Sequence, residues 1–198
     1  MTDLQKAESY IESHLSGNRI SHVYSVCDTA TKMCRLLGKT EYCKAAYTAA
    51  LLHDITKEFS NERHLEIIEK NSIQLTEDDF RSPEILHSFT GAAFAKELLP
   101  ELINDEIYGA IFNHTTGKKD MTFLEKVIFL SDYIEPKRKY DASHELYDYF
   151  MNNIGEINIL EKACLICLTN MVEYLEKNGS HVNSRTIFAK EFLEERLG

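Results

Sequence analysis

The chain has 198 residues, 43% of them hydrophobic and 27% charged, enough for one domain that buries roughly 70% of its unfolded surface without disulfide staples. A net charge of −10 argues against a general coat for nucleic-acid polymers. No apolar run approaches the 18 or so residues of a membrane span, and Met1 to Lys6 lack the basic start of a signal peptide, so the expectation is a cytoplasmic protein without a membrane partner.

Only 8 Gly and 3 Pro interrupt the chain, which favours long helices. Leu4, Ala7, Tyr10, Ile11 and Leu15 repeat at helical spacing up to Gly17. From Ile20 to Leu37 the stripe Val23, Val26, Cys27, Ala30, Met33, Cys34 predicts a second helix, closed by Gly38. A third is expected from Glu41 to Lys57, followed by shorter ones at 61–70 and 76–80. Ser82 and Pro83 suit a helix start, and that helix is expected to run to Leu98. Pro100 is read as opening the next. Thr122 with Glu125 has capping-box spacing. Pro136 to Ser143 reads as a short charged linker, followed by helices at 156–177 and 184–196. With no long period-2 run and no repeat, the chain reads as a single all-α domain over residues 1–198. The five cysteines are odd in number, and Cys164 and Cys167 lie inside a helical pattern without a second pair, so reduced core thiols are expected.

Four apolar runs end in a stray His or Asp: Leu51-Leu52-His53-Asp54, Ile85-Leu86-His87, Ile111-Phe112-Asn113-His114 and Phe129-Leu130-Ser131-Asp132. Burying such a group alone costs several kcal/mol, and a shared metal centre would turn each into a ligand. With His22 the set is four His and two Asp, without a thiolate, which suits iron, manganese, zinc or magnesium. Adjacent helical residues diverge by about 100°, so His53 and Asp54 cannot chelate one ion as an i, i+4 pair. A carboxylate beside a His can instead bridge two ions. Lys57, three residues after Asp54, could hold a phosphate oxygen nearby.

The order His22, His53-Asp54, His87, His114, Asp132 resembles the HD superfamily of metal-dependent phosphohydrolases. The blocks His87-Ser88-Phe89-Thr90-Gly91-Ala92, His114-Thr115-Thr116-Gly117 and Asp132-Tyr133-Ile134-Glu135-Pro136 are similar to the YqeK family, symmetrical diadenosine tetraphosphatases, over about residues 15–190. The resemblance implies an HD-type helical bundle that cuts diadenosine tetraphosphate into two ADP at a two-metal site, usually described with iron. By that likeness His22, His53, Asp54 and Asp132 hold one ion, His87 and His114 the second, and Asp54 bridges. A metal-bridging hydroxide would be the nucleophile. Arg19, Lys57, Thr115 and Arg138 would touch the phosphates.

Near the C-terminus the family tends to carry Ile-His-Pro-x-Thr, whereas this chain reads Val182-Asn183-Ser184-Arg185-Thr186. That segment closes over the nucleotide in the family, which puts Asn183 among the substrate-binding candidates. His14, His64, His144 and His181 have polar surroundings and are not read as ligands. Exposed apolar positions on the last helix would support a homodimer. Two rival readings remain: an HD phosphohydrolase of another nucleotide or cyclic dinucleotide, and a nucleotide-binding regulator without turnover. A helical interaction protein without a site is a more distant third.

Overall fold

Three helices start where the sequence offers a hydroxyl three residues ahead of a carboxylate or amide. Thr2, Thr76 and Thr122 each accept from the N3 backbone amide, and Gln5, Asp79 and Glu125 answer to the cap. The computed structural model describes all 198 residues as eleven α-helices joined by turns, with no strand. In chain order they are α1 (Asp3–His14), α2 (Gly17–Leu36), α3 (Cys43–Leu52), α4 (Asn61–Lys70), α5 (Glu77–Phe80), α6 (Leu86–Leu98), α7 (Asp105–Asn113), α8 (Phe123–Ile134), α9 (Asp141–Asn152), α10 (Ile159–Lys177) and α11 (Ser184–Leu197). The all-α expectation holds. No helix is long and apolar enough to cross a membrane.

Helix α2 is central, packed on α3 and α8. Its predicted stripe, Val23, Val26, Cys27, Ala30, Met33 and Cys34, is fully buried. Facing it, α3 offers small side chains, Ala46, Ala49 and Ala50, which let the helices approach closely before Leu51 and Leu52 fill the floor. One continuous apolar core of 39 buried residues runs from Ala7 on α1 to Leu193 on α11. Each large aliphatic side chain in it contributes about 1.5–3 kcal/mol. Ile68, Ile85, Leu86 and Phe89 form a second, smaller cluster between α4 and α6. All five cysteines are unpaired thiols, with Cys164 and Cys167 buried on α10.

Several boundaries differ from the sequence expectation. The third helix stops at Leu52 rather than Lys57. Beyond it the backbone tightens into i→i+3 turns, Ile55 N to Leu52 O, Lys57 N to Asp54 O and Phe59 N to Thr56 O. This turn lies against α6: a Cβ at Gly91 would stand 3.4 Å from both His53 O and Thr56 Oγ1, at contact distance. The expected helix from Ser82 begins as a 3-10 turn over Pro83–Ile85, and α6 follows from Leu86. The helix expected from Pro100 starts at Asp105, where Asn104 accepts from Ile107 N at 2.9 Å. Finally, α9 was not expected: it buries only Ser143, Leu146 and Phe150, a stripe too sparse to read beside the charged 136–143 stretch.

Candidate metal centre

Five elements deliver six side chains to one buried point. His22 comes from the second turn of α2, and His53 caps the C-terminus of α3 with Asp54 in the turn behind it. His87 opens α6, His114 caps the end of α7, and Asp132 lies in the last turn of α8. His53 Nε2 lies 3.5 Å from Asp54 Oδ2 and 3.7 Å from Asp132 Oδ1, and the His53 and His114 ring centroids are 5.0 Å apart. Two groups of potential ligand atoms overlap there, His22, His53, Asp132 and His53, Asp54, His114, the atoms of each lying within 4.8 Å of one another.

The ring orientations have a common cause. His53 Nδ1 donates to Ala50 O at 2.6 Å, His87 Nδ1 to Glu84 O at 2.6 Å and His114 Nδ1 to Ile111 O at 2.7 Å. Each bond reaches back three residues to a carbonyl at a helix end, fixes the Nδ1–H tautomer and leaves Nε2 as a bare lone pair aimed inward. His22 is held instead by side chains, with Nδ1 3.0 Å from Glu135 Oε1 and Nε2 3.0 Å from Asp132 Oδ1. Glu135 is buried and also accepts from Lys137 N at 2.7 Å. It was not singled out as a site residue from sequence. Its spacing, three residues after Asp132 on a helical stretch, is the signal that could have found it.

Asp54 stands between two halves. Its Oδ2 faces His53 and His22, at 3.5 and 3.7 Å from their Nε2 atoms, while Oδ1 faces His87 and His114 at 3.3 and 3.9 Å. The residues therefore sort into a His22–His53–Asp132 half and a His87–His114 half that share one carboxylate. Burial alone would raise both carboxyl pKa values. Instead the neighbouring imidazoles of His53 and His87 hold Asp54 well below the carboxylate range, and Arg138 with His22 and His53 does so for Asp132. His114 is pushed down to about 3 by burial and by the His53 and His87 rings. His22 is the opposite case: burial lowers it, but the Asp132 and Glu135 carboxylates prevail and raise it to about 9.

Two features say what the cluster lacks. His53 Nε2 is buried with no hydrogen-bond partner, and His22 Nε2 makes no aligned hydrogen bond although Asp132 Oδ1 stands 3.0 Å away. Such orphans cost on the order of several kcal/mol unless something fills the gap. His87 Nε2 and His114 Nε2 also stand 3.1 Å apart, two lone pairs facing each other once both Nδ1 atoms carry the hydrogen. A cation relieves both faults, and an all-imidazole and carboxylate donor set suits iron, manganese, zinc or magnesium. The residues fit metal ions.

Cationic side chains ring the centre. Arg19 Nη1 lies 2.6 Å from Asp54 Oδ2. Arg138 bonds Asp132 twice, through Nη2 to the carboxylate and through Nε to the backbone oxygen at 2.7 Å. Lys57 Nζ sits 3.2 and 3.3 Å from the two ring nitrogens of His87, and Thr115 Oγ1 is 3.3 Å from His87 Nε2. Lys57 reaches the centre from the turn, not from the helix face expected for it. Of the residues expected at the site, only Asn183 is elsewhere. It caps α11 by accepting from Arg185 N at 2.9 Å and donates to Asp79 Oδ1 at 3.1 Å. His64 is buried but is hydrogen-bonded to Thr90 Oγ1 at 2.8 Å, behind the centre. Thr90 in turn meets Thr56, whose hydroxyl donates to His87 O at 2.9 Å.

A helical bundle in which histidines and aspartates converge in this way is the architecture of the HD domain, and the HD domain family matches residues 19–137. The chain belongs to that family of metal-dependent phosphohydrolases. Within it, the chain is similar to curated enzymes named symmetrical bis(5'-nucleosyl)-tetraphosphatase. That of Staphylococcus aureus is 32% identical, with 93% of this chain and 91% of the relative covered. That of Bacillus subtilis is 28% identical, with 96% of each covered. A crystal structure described as a predicted HD superfamily hydrolase involved in NAD metabolism, from Clostridium acetobutylicum, superposes with a TM-score of 0.87 at 30% identity, covering 99% of each chain.

Proposed function

We propose that this enzyme hydrolyses dinucleoside tetraphosphates symmetrically, cutting diadenosine tetraphosphate into two ADP at a two-metal centre. The observation that carries the reading is Asp54, with one oxygen toward His22 and His53 and the other toward His87 and His114. A carboxylate so placed suits two ions side by side. The names borne by relatives that match over nine-tenths of the chain supply the substrate.

His22, His53, Asp54 and Asp132 would hold one ion, and His87 and His114 with Asp54 the other, iron being the choice by family likeness. When bound, such ions lower the pKa of water toward neutrality and take up charge on phosphoryl oxygens. The chain's own residues do the rest. Arg19 and Arg138, now paired with Asp54 and Asp132, are placed to turn toward phosphate oxygens when metal neutralises those carboxylates. Lys57 and Thr115, beside His87, serve the far side of the phosphate chain. Burial lowers the Lys57 pKa, while the Asp54 and Asp132 charges support its protonated form. ADP is a good leaving group, so no strong general acid is required, and no side chain need act as the nucleophile.

Product analysis with diadenosine tetraphosphate and metal-replete enzyme tests this reading. ADP as the sole nucleotide is the expected result. ATP with AMP would place the cut off centre and end the symmetrical assignment. No product from bound-metal enzyme would move the substrate to another phosphate ester.

A further inference from the structure

A cavity of about 520 Å³ opens directly beside His22. Its rim carries Arg19, Lys137, Arg138 and Lys139, and its two carboxylates are already engaged, Glu135 by His22 and Glu58 by Ser16. On a chain of net charge −10, this is a basic groove leading away from the metal centre. Tyr140, 62% exposed, also lines it.

Tyr140 also belongs to a second cleft of about 390 Å³, of quite different character. Tyr133, the residue after Asp132, lines it together with Tyr140 from the edge of α9 and Tyr174 and Met171 from α10. Tyr174 is likewise 62% exposed. Asn170 supplies an amide with both donor and acceptor, and Lys177 and Glu173 add one charge of each sign. The volume falls within the roughly 300–1,000 Å³ of small-molecule sites. Exposed tyrosines flanking a cleft with one amide match what a flat heteroaromatic base requires: faces to stack on and an edge to hydrogen-bond.

We infer that this tyrosine cleft is the subsite for one nucleobase of a two-headed substrate, joined to the metal centre by the Arg19–Arg138 groove. The inference rests on the dinucleoside polyphosphate reading. A substrate cut at its middle is anchored at its middle, so its two nucleosides must leave the centre along different paths. One path starts from the His87–His114 half, beside Lys57 and Thr115. The other starts from the His22–Asp132 half, where the groove runs past Lys137 and Lys139 to Tyr140. A mononucleotide needs only one of them.

The test compares Tyr140→Ala and Tyr174→Ala holoenzymes on diadenosine tetraphosphate and on adenosine 5'-tetraphosphate, which carries a single base. Both tyrosines are solvent-facing, so the variants should fold, and circular dichroism checks that. The KM for the dinucleotide is expected to rise about tenfold relative to that for the single-base substrate, with kcat for the dinucleotide nearly unchanged. No rise in the dinucleotide KM for either variant overturns the subsite while leaving the dinucleotide activity intact, whereas an equal rise for both substrates keeps it and places the single base in the same cleft. A parent enzyme that leaves diadenosine tetraphosphate uncut overturns the substrate reading itself, and the subsite with it.

Discussion

Two buried clusters of charge lie in this molecule, and they are built on opposite principles. In the knot between α5 and α11, Asp79 is fully buried with every lone pair in use. Its Oδ1 accepts from Arg185 Nε at 2.8 Å and Asn183 Nδ2 at 3.1 Å, and its Oδ2 from Arg185 Nη2, Thr76 N and Thr76 Oγ1 at 2.9–3.0 Å. The Arg185 guanidinium also lies over the rings of Phe89 and Phe112, at 5.2 and 5.9 Å. At the centre between α2, α3, α6, α7 and α8, by contrast, His53 presents a buried nitrogen with no partner and His22 one without an aligned hydrogen bond. A closed network is finished as it stands and holds structure. One with inward-facing orphans is complete only with something else in it.

The contrast can be broken by substitution in either cluster. Asp54→Ala carries the largest expected effect, because it removes the carboxylate common to both halves. Turnover should fall by about 10³-fold or more, roughly 4 kcal/mol of transition-state stabilisation, with bound metal reduced in elemental analysis. The metal-free chain should also lose some stability, because Arg19 loses the carboxylate it pairs with. Comparable activity in the variant would sink the metal-centre reading.

Asp79→Ala should show the reverse pattern. It strands Arg185, and such losses run to about 3–5 kcal/mol, with the lower figure expected because Arg185 is partly exposed. Thermal unfolding should shift down by roughly 6–12 °C at about 3 kcal/mol, while turnover per folded molecule stays close to the parent's. The same carboxylate gives a pH signature. Burial would raise its pKa, but Arg185, the Thr76 amide and Asn183 hold it down to about 2. A depressed folded-state value contributes stability that is complete above the ordinary carboxylate pKa of 3.8 and is lost as pH falls through about 2. Denaturant titrations should lose about 2 kcal/mol across that window in the parent and not in Asp79→Asn.

Glu135→Gln makes the finest cut. Gln keeps the shape beside His22 but removes the charge that favours its Nδ1–H. Metal affinity should weaken by about 10–100-fold, with activity restored by excess metal. An unchanged metal titration would show that Glu135 only packs.

Much of this was legible in the sequence, and the failures have physical causes. The six ligand candidates were readable because polar groups ending apolar runs contradict burial, and all six do meet at one point. Helix α2 followed its apolar stripe closely. The stretch after Leu52 was misread because Ile55 continues the apolar period, and that period does not distinguish an α-helix from the i→i+3 turns the backbone makes there. Helix α9 escaped because its buried face includes Ser143, whose hydroxyl donates to Tyr133 O at 2.6 Å, a bond no hydrophobic pattern records. Asn183 was assigned to the nucleotide on family likeness alone. Its amide is committed to Asp79, 104 residues away in sequence, and pairings at that separation leave no local signal.

The way the bundle aims its helices has one more consequence. Helices α3, α7 and α8 end at the centre, where His53, His114 and Asp132 sit, whereas α6 begins there with His87 and α2 passes it with His22 in its second turn. A helix carries about half a negative charge at its end and half a positive charge at its start. The peptide backbone therefore sorts charge at the centre before any side chain acts. Three ends draw cations inward, and one beginning favours the polyanion that follows them. That field survives the loss of any one imidazole, so single ligand substitutions should weaken metal binding in steps rather than abolish the site's attraction for cations.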